Sequence, residues 1–558
     1  MTDKKRVLVV SEAHFLNSGF GTYAKELISR LHNTGKYDLA DFASYGRPIE
    51  SPPLWKYYPN VPPETDDNLN KLYNQAPGNQ FGMWRFDKVC LDFRPDIVIC
   101  YRDPWMDSWI ETSPSRPYFH WVWMPTVDSA PQKQEWVDTF ANCDAVLTYS
   151  EFGGRVLKDQ CKERINYIGC ASPGINPHIY KPFDKQQVRK QLGIDPDCFI
   201  VGTVMRNQKR KLFFELMKAF KIFLNKAPKE IASKTFLYLH TSYPEKNGWD
   251  IADGVMENGL GGKVIMTYVC KNCKKFFGRH FQDALSQCIF CKQASGVCPT
   301  VGLGVSIEDL AQIYNSIDLY AQYAICEGFG MPQVEAASCG IPVAATDYSA
   351  MYDVVRFTQG YPVPVRKFFR EIETNAERAY PDNDEMAKIM IDFFRLSDED
   401  RQRKSMEVRK HTIARYDWDA TAKVWEDYID SYIPTGHQGK WDTEVSISAI
   451  PQEVPQNLSN SEFVTWLFSQ VTQSPELIHS PEASRLIRDL NFGATIGQGV
   501  LEPVDREQLY KNKRSAKENQ NHFNLIRMGR MEFQPDQFII DAHQQHKDQN
   551  SKWASINK

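Results

Sequence analysis

Short apolar runs alternate with amphipathic segments through most of the chain. The runs with the length of buried strands are 7–10, 94–100, 118–124, 145–150, 199–205, 236–240, 319–323 and 343–345. Most are followed by a polar loop and then by apolar residues at helical spacing. Regular alternation of strand and helix is typical of parallel α/β sheets. We therefore expect parallel, doubly wound sheets, and a length of 558 residues allows two large domains and further segments.

The stretch 322–355 combines two carboxylates with a glycine-rich turn. Glu327 and Glu335 stand eight residues apart, with Gly328-Phe329-Gly330 between them, and Met331-Pro332 predicts a helix with proline in its first turn. Backbone N–H groups at a helix N-terminus suit a phosphate, and carboxylates accept hydrogen bonds from hydroxyls. This combination fits a nucleotide-sugar. The alternative is an ordinary loop with surface glutamates.

Two other loops carry groups suited to the same ligand. Gly19 and Gly21 follow the first strand, in a strand–loop–helix arrangement that cradles phosphates or sugars. Arg206 and Lys211 lie in the basic loop after run 199–205. Fixed positive charge at the carboxyl end of a strand suits a diphosphate leaving group. The alternatives are a simple strand–helix turn and a solvated basic loop.

An insert at 264–301 carries two CxxC pairs. Cys270 and Cys273 are followed by Cys288 and Cys291, so four thiolates are available for one tetrahedral site, which Zn²⁺ prefers. Four cysteines leave no open coordination position, so we expect a structural zinc ribbon rather than a catalytic metal.

The insert is also rich in basic and aromatic residues. The basic residues are Lys271, Lys274, Lys275, Arg279 and Lys292, and the aromatic residues between them are Phe276, Phe277, Phe281 and Phe290. Basic residues interleaved with aromatic ones are compatible with nucleic-acid contact. Alternatively, the phenylalanines form the core of the ribbon and the lysines are merely solvated.

The end of the chain has a different pattern. We expect a polar, proline-containing linker at 434–457 and a helical, basic extension at 458–558 whose last fifteen or so residues are disordered. Basic residues concentrate in 506–530, as in a nucleic-acid patch, although such a run is more often a solvated face.

Composition narrows the class of protein. The formal net charge of -4 over 558 residues argues against a wholly basic nucleic-acid coat protein, and the 42% apolar content is ample for two cores. We find no apolar run long enough for a membrane span and no signal-peptide pattern at the start. Thirteen cysteines, an odd number scattered through apolar segments, indicate reduced thiols and a cytoplasmic location.

The motifs of 322–355 resemble the donor signature of retaining, two-domain GT-B glycosyltransferases of family 4. The resemblance covers roughly 1–432 without the zinc insert. It implies two Rossmann-like, doubly wound domains facing a cleft, at 1–185 and 186–415. It also implies a UDP- or GDP-sugar as donor and a closing helix at 416–433 that packs back on the first domain.

The resemblance also implies roles for individual residues. Glu327 would contact the transferred sugar and Glu335 the nucleotide ribose, with backbone contacts from Gly328, Phe329 and Gly330. Arg206 and Lys211 would neutralise the diphosphate, and the loop of Gly19 and Gly21 would lie against diphosphate and acceptor. For the catalytic-side group that follows the strand at 118–124, both His120 and Asp128 are candidates.

The acceptor stays open at this point. The chain is similar overall to glycosyltransferases of large tailed phages, some of which glycosylate hydroxylated bases in DNA, so double-stranded DNA in the host cytoplasm is our leading hypothesis. A glycan- or protein-directed transferase is the alternative enzyme. A non-catalytic nucleic-acid or protein-binding module on a GT-B scaffold is the alternative from another class.

Overall fold

The computed structural model describes residues 4–49, 51–300, 302–433, 437–447, 449–472, 478–497 and 500–556. Several expectations fall partly on other residues. Positions 434–436 and 448 of the expected linker, 301 of the insert, and 473–477, 498–499 and 557–558 of the extension lie outside the described residues.

The first sheet is built from seven parallel strands in the order β3-β2-β1-β4-β5-β6-β7. The strands are β1 (Lys5–Glu12), β2 (Tyr37–Ser44), β3 (Lys56–Pro59), β4 (Ile97–Cys100), β5 (His120–Trp123), β6 (Ala145–Thr148) and β7 (Tyr167–Cys170). The helices are α1 (Gly19–Asn33), α2 (Asp67–Gln75), α3 (Pro77–Gln80), α4 (Phe86–Phe93), α5 (Pro104–Asp107), α6 (Gln134–Asn142) and α7 (Glu151–Cys161).

Strand β1 shows why these runs are continuously apolar. It lies between β2 and β4, and helices cover both faces of the sheet. Val7 and Val9 pack into the core on one face, while Leu8 and Val10 pack into the core on the other. A parallel strand buried on both faces therefore favours apolar side chains at successive positions, as in Val7–Val10.

The second sheet has the strand order β12-β13-β10-β9-β8-β14-β15-β16, with β11 paired to β10. The strands are β8 (Phe199–Val204), β9 (Thr235–His240), β10 (Val264–Cys270), β11 (Phe276–His280), β12 (Ser286–Gln287), β13 (Ala294–Val297), β14 (Leu319–Gln322), β15 (Val343–Thr346) and β16 (Tyr361–Val363). A separate hairpin follows, made of β17 (Val365–Arg370) and β18 (Glu377–Pro381). The helices are α8 (Lys185–Leu192), α9 (Phe213–Lys226), α10 (Lys229–Lys234), α11 (Ile251–Glu257), α12 (Ile307–Ser316), α13 (Met331–Ser338), α14 (Ser349–Phe357) and α15 (Asn383–Arg395).

The insert extends this sheet at one edge. Strand β10 runs parallel to β9, so Cys270 at its carboxyl end lies toward the same edge of the sheet as the loops after β8 and β14. Strands β11 and β13 then pair antiparallel with β10. The ribbon is therefore continuous with the sheet through backbone hydrogen bonds.

After the second sheet, the chain returns to the first. Helix α16 (Asp398–Arg415) is followed by α17 (Trp418–Ser431), which packs against α1. The chain crosses between the domains twice, near Ile175 and near Asp417, and the two crossing segments lie side by side. Ile175 forms a parallel bridge with Asp417, and the Ile175 N–H donates to the Tyr416 carbonyl at 3.1 Å.

A buried hydrogen bond fixes α17 on the first domain. The Trp425 indole donates to the Tyr23 hydroxyl at 2.8 Å, and the Tyr23 hydroxyl donates to the Ala171 carbonyl at 3.0 Å. Both side chains are at most 1% exposed. Since neither group can reach water, each depends on the other for its hydrogen bond.

The C-terminal extension differs from expectation in two places. Its elements are α18 (His437–Asp442), α19 (Asn460–Trp466), a π-helical segment (Leu467–Val471), α20 (Pro481–Phe492), β19 (Ala494–Gly497), β20 (Val500–Pro503), α21 (Arg506–Arg527) and α22 (Gln537–Ile556). Trp441, within the expected linker, is buried in the core of the first domain. The tail expected to be disordered instead continues helix α22, whose Ile539 and Ala542 are buried in the same core.

The basic stretch 506–530 is used largely inside the extension. Arg527 is 3% exposed and donates to the carbonyls of Lys440, Trp441 and Thr443. Lys511 pairs with Glu507 at 2.8 Å. These contacts favour a structural role for the run over the nucleic-acid patch considered above. Among the described residues, no helix has both the length and the apolar character needed to cross a membrane.

We predict that Tyr23→Phe destabilises the protein by about 1–3 kcal/mol, because it leaves the buried Trp425 N–H and the Ala171 carbonyl without their hydroxyl partner. Urea or thermal denaturation measures the effect. Tyr352→Phe, at a side chain that is 40% exposed, is the matched control and should change stability little. Equal effects of the two variants would contradict the importance of this hydrogen bond.

Candidate functional site

Glu327 is a buried carboxylate paired with two cations. It lies in the loop between β14 and α13 and is 4% exposed. Arg210 Nη1 contacts Glu327 Oε2 at 2.7 Å, and the Lys211 ammonium contacts Oε1. Gln322 Nε2 also donates to Oε1, at 2.7 Å, and the backbone N–H of Glu327 donates to Ser349 Oγ at 2.9 Å. Each polar group of Glu327 therefore has a fixed partner.

The cations decide the ionisation of this carboxylate. Burial by itself would raise the pKa of Glu327, but Lys211 and Arg210 outweigh it and lower the pKa to about 2. Burial and the neighbouring Arg210 lower the pKa of Lys211 to about 8, against the opposing effect of Glu327. At neutral pH the site thus holds an ionised carboxylate between two positive charges.

Helix α13 begins immediately after this loop, as the sequence predicted. Gly330 precedes the helix with φ of +84°, a left-handed conformation that favours glycine, and Pro332 lies in the first turn. Phe329 is buried against Tyr416, and its carbonyl accepts from Gln333 Nε2 at 2.7 Å. The turn thus directs the helix N-terminus at the region beside Glu327.

Glu335 lies farther along α13 and is 9% exposed. Its Oε2 accepts a hydrogen bond from the Tyr314 hydroxyl at 2.6 Å. Burial raises the pKa of Glu335, while hydrogen bonds from Tyr314 and Tyr180 oppose that rise. The structure therefore places Glu327 in the loop before α13 and Glu335 within that helix. Glu327 is paired with two cations, whereas Glu335 accepts a hydrogen bond from a tyrosine hydroxyl.

The basic loop contributes a different arginine from the one that the spacing favoured. Arg206 has a side chain that is 57% exposed and lies 3.9 Å from Glu245 rather than beside Glu327. Arg210 contacts Glu327 instead, because the turn after β8 carries Lys211 into a bridge with Ala324 and Arg210 beside it. Lys211 lies where the sequence placed it.

The two glycines of the first loop have different surroundings. Gly19 begins α1, and a Cβ built on it would lie 3.9 Å from Met331 Sδ at the start of α13. It therefore faces the start of α13 in the other domain. Gly21 instead packs against the backbone carbonyls of Ala13 and Leu16. Its role in this structure is to let the loop close on α1.

Loops of the first domain meet the Glu327 loop directly. A Cβ built on Gly328 would lie 2.4 Å from Thr126 Cγ2, so glycine is needed for this close approach. Asp128, two residues further, accepts from Arg378 Nη1 at 2.9 Å, and the Cys326 thiol contacts its other oxygen at 3.2 Å. Asp128 is therefore next to the residue that precedes Glu327.

The structure places His120 away from the Glu327 loop. It begins β5, whereas the loops facing Glu327 follow the carboxyl ends of the strands. Its Nε2 lies 2.9 Å from the Tyr428 hydroxyl, and its ring stacks on Tyr432 with centroids 4.0 Å apart. His120 thus serves the packing of the first domain against α17.

Sequence reasoning missed Arg378, which joins the two domains at the site. Arg378 is in β18 and contacts Asp128 of the first domain and Glu371 of its own hairpin, the latter at 2.6 Å. The neighbouring Glu377 N–H donates to the Ala130 carbonyl at 2.8 Å. No sequence motif marks Arg378. Its contact with Asp128 arises because the hairpin of β17 and β18 packs against a loop of the first domain, far away in sequence.

The four predicted cysteines come together in the ribbon. The sulfur atoms of Cys270, Cys273, Cys288 and Cys291 all lie within 4.8 Å of one another. The Cys270–Cys291 and Cys273–Cys288 sulfur distances are 3.6 and 3.7 Å. Four sulfur atoms grouped in this way could hold one metal ion.

The aromatic residues of the ribbon divide between core and surface. Phe277 is fully buried and stacks on Tyr268 at 5.8 Å, as expected for a ribbon core. Phe290 is 42% exposed, with the Lys275 ammonium 4.9 Å from its ring centre. Lys271, Lys274 and Lys292 are also exposed.

Comparison with known proteins identifies the family signature in the second domain. Residues 300–378 match the family described as Glycosyl transferases group 1. The D-inositol 3-phosphate glycosyltransferase of Stackebrandtia nassauensis is 25% identical over 209 residues, which are 37% of this chain and 39% of that protein. The enzyme of the same name from Rhodococcus erythropolis is 25% identical over 191 residues, 34% of this chain and 35% of that protein. The chain thus spans under two fifths of the length of these curated relatives.

Solved structures show the fold. Sucrose-phosphate synthase from Thermosynechococcus elongatus is 17% identical, with a TM-score of 0.56 over 77% of this chain and 100% of that one. Anabaena Alr3699/HepE, solved in complex with UDP and glucose, is 15% identical with a TM-score of 0.51 and the same coverage of both chains. Together with the two parallel sheets, these likenesses show an α/β fold of the GT-B type.

We predict that Gly328→Ala weakens the contact between domains, because its methyl group would overlap Thr126 Cγ2. The melting temperature should fall and the radius of gyration from small-angle scattering should rise. Thr126→Ser removes that methyl group and should restore both properties in the double variant. Gly261→Ala, where nothing lies within 4 Å of the added Cβ, is the control. A double variant as unstable as Gly328→Ala would contradict this explanation.

Proposed function

We propose that this chain, with its GT-B-type fold and group 1 glycosyl transferase segment, is a retaining glycosyltransferase that uses a nucleotide-diphosphate sugar. The observation that carries the proposal is the ionised, buried Glu327 between Arg210 and Lys211, directly before the N-terminus of α13. Hydroxyls suit the carboxylate, and a diphosphate suits the two cations and the helix N-terminus.

The donor would be a UDP- or GDP-sugar. Glu327 would accept from hydroxyls of the transferred sugar and Glu335 from the nucleotide ribose, while Gly328, Phe329 and Gly330 offer backbone groups. Lys211 and Arg210, with Arg206 at the rim, would bind the diphosphate. The UDP complex of the structurally similar Anabaena protein supports a uridine nucleotide.

Catalysis would come mainly from stabilising the leaving group. The bond from the anomeric carbon to the diphosphate oxygen breaks, and its electron pair stays on the diphosphate near Lys211 and the α13 N-terminus. The acceptor oxygen bonds to the same face of that carbon, and its proton passes to the departing diphosphate. Preorganised positive charge at a developing anion is worth about 3–4 kcal/mol per lost donor in other enzymes.

We propose a hydroxylated base in DNA as the leading acceptor. The exposed lysines of the ribbon and the exposed Phe290 support contact with a nucleic-acid backbone and a base. A glycan or cyclitol acceptor is the second candidate, because the curated relatives are named for an inositol phosphate. Binding without catalysis is disfavoured by the intact cation–carboxylate cluster.

We also propose that the four ribbon cysteines bind a structural Zn²⁺. A tetrahedral site with Zn–S bonds of about 2.3 Å has sulfur–sulfur edges of about 3.8 Å, close to the observed 3.6 and 3.7 Å. The metal would join the two CxxC turns at the end of β10. None of the thirteen cysteines, all of which the structure describes, is in a disulfide. We propose a cytoplasmic location, in the host if a phage encodes the chain, from the odd number and scattered positions of the cysteines in the sequence.

We predict that Glu327→Gln lowers kcat/KM for sugar transfer by about 100-fold or more, because it removes the charge that orders Lys211 and Arg210. Purified protein is incubated with UDP- and GDP-sugars and with three acceptor sets: hydroxymethylated duplex DNA, simple glycosides and inositol. Mass spectrometry of the digested or free acceptors identifies the product, and release of the nucleotide reports donor use.

Glu407→Gln, an exposed glutamate on α16, is the control and should retain activity. A sugar on a DNA base would support the leading acceptor, and a sugar on a glycoside or inositol would support the second candidate. If no donor is consumed with any acceptor, the enzyme proposal is refuted.

We predict one Zn²⁺ per chain by elemental analysis, and loss of that zinc together with a lower melting temperature in Cys273→Ser. Cys298→Ser replaces a buried cysteine outside the cluster and should keep the metal. Equal zinc in the two variants would contradict the four-cysteine site.

A further inference from the structure

The turn after β4 lies beside the Glu327 site and has no role in the proposal so far. Strands β4 and β5 are parallel neighbours, with Cys100 opposite Trp123. Asp103 and Thr126 each lie three residues past these positions, at the same edge of the first sheet. The Thr126 methyl group touches Gly328, so this edge directly faces the Glu327 loop.

Asp103 is a partly exposed carboxylate in this position. Burial raises the pKa of Asp103 to about 6, and the nearby Asp128 adds to the rise while Arg210 opposes it. Asp103 and Thr126 follow neighbouring strands at one edge of the sheet, and the Thr126 methyl group lies against Gly328, so this edge faces the Glu327 loop. Asp103 is therefore across the cleft from the carboxylate that we assign to the donor sugar.

Aromatic rings form a surface beside Asp103, which we call the aromatic ledge and define as Tyr45, Phe81 and Trp105. Phe81 is buried and touches both of the others edge-on, with centroids 5.0 Å from Trp105 and 5.7 Å from Tyr45. Trp105 is 52% exposed and Tyr45 is 38% exposed. Large exposed rings fixed by a buried one are typical of a ligand surface rather than of a core.

A buried ion pair holds this turn rigid. Arg102 and Asp107, on either side of Asp103 and Trp105, are both fully buried and are joined by a two-point contact that includes Arg102 Nε to Asp107 Oδ1 at 2.9 Å. Arg102 Nη2 also donates to the Phe81 carbonyl at 3.0 Å. The ion pair thus ties the turn to the ring beneath Trp105, an arrangement that preorganises a site.

We propose that Asp103 and the aromatic ledge form the acceptor subsite, which takes an uncharged ring with an O–H or N–H donor at its edge. Trp105 packs against the face of the ring, and Asp103 accepts a hydrogen bond from a group on the ring other than the reacting hydroxyl. This assignment rests on the proposed function, which supplies the donor opposite.

The charges of the subsite exclude an acceptor that carries its own phosphate near the reacting hydroxyl. Asp103 and Asp128 lie in the loops that follow the neighbouring strands β4 and β5, so this edge carries two carboxylates. The neighbouring cations are already paired, Arg210 with Glu327 and Arg378 with Asp128 and Glu371. A second anion would meet unbalanced negative charge, so the subsite favours a neutral ring over a phosphorylated cyclitol.

The test compares Asp103→Ala and Trp105→Ala with the parent in the transfer assay. We expect a rise of about tenfold or more in the KM for the acceptor in each variant, with acceptor-independent hydrolysis of the donor within about twofold of the parent. Trp105→Phe should recover most of the loss. Asp253→Asn and Phe492→Ala, both exposed and outside this edge, are the matched controls.

The probes are hydroxymethylcytosine in duplex DNA, a neutral glycoside, myo-inositol and inositol 3-phosphate. Transfer to a neutral ring but not to inositol 3-phosphate supports the subsite, and the product identifies whether the ring is a base or a sugar. Acceptor KM values unchanged from the control variants, or preferred transfer to inositol 3-phosphate, would overturn it. Loss of donor hydrolysis in Asp103→Ala would also overturn it, because the residue would then act on the donor. A parent protein that consumes no donor refutes the proposed function itself.

Discussion

The pairing of Glu327 with Arg210 and Lys211 is the interaction on which the site depends. A carboxylate at 4% exposure and an ammonium at 7% exposure are each costly to bury alone, and removal of one partner leaves an uncompensated charge. The pairing is possible because β8 and β14 are neighbours in the sheet, so the loops that follow them lie at one edge. The strand order of the sheet therefore brings the two cations to the carboxylate. The glycine turn before α13 then places the helix N-terminus beside them.

Several features of the structure were predictable because they depend on short-range sequence patterns. The buried strands, the helix after Gly330 and the four ribbon cysteines all follow from residues close together in sequence. Lys211 and Glu327 were candidates for a second reason, since each lies in the loop that follows a buried parallel strand, where sites of α/β proteins lie. Periodicity predicted the parallel sheets, and the family resemblance added the two-domain arrangement, whereas the roles of these residues stay predictions.

The contacts that sequence reasoning missed come from distant segments. Arg378 reaches Asp128 only because a hairpin after the second sheet folds over the cleft. His120 carried the right chemistry but begins its strand rather than following it, so its ring packs under α17. Only the last fifteen or so residues were expected to be disordered, yet α22 extends into them, and its earlier residues Ile539 and Ala542 pack into the core of the first domain. The composition of a segment does not show which distant part of the chain the segment will pack against.

The side-by-side passage of the chain at Ile175 and Asp417 has a mechanical consequence. Two covalent connections, joined by a backbone bridge, link the domains along a single line. Any relative motion of the domains that keeps this bridge intact is confined to rotation about it, because sliding of one domain past the other would break the bridge. The hydrogen bond from Trp425 to Tyr23 holds the returning segment on the first domain, so such a rotation would displace the second domain, which carries the Glu327 loop.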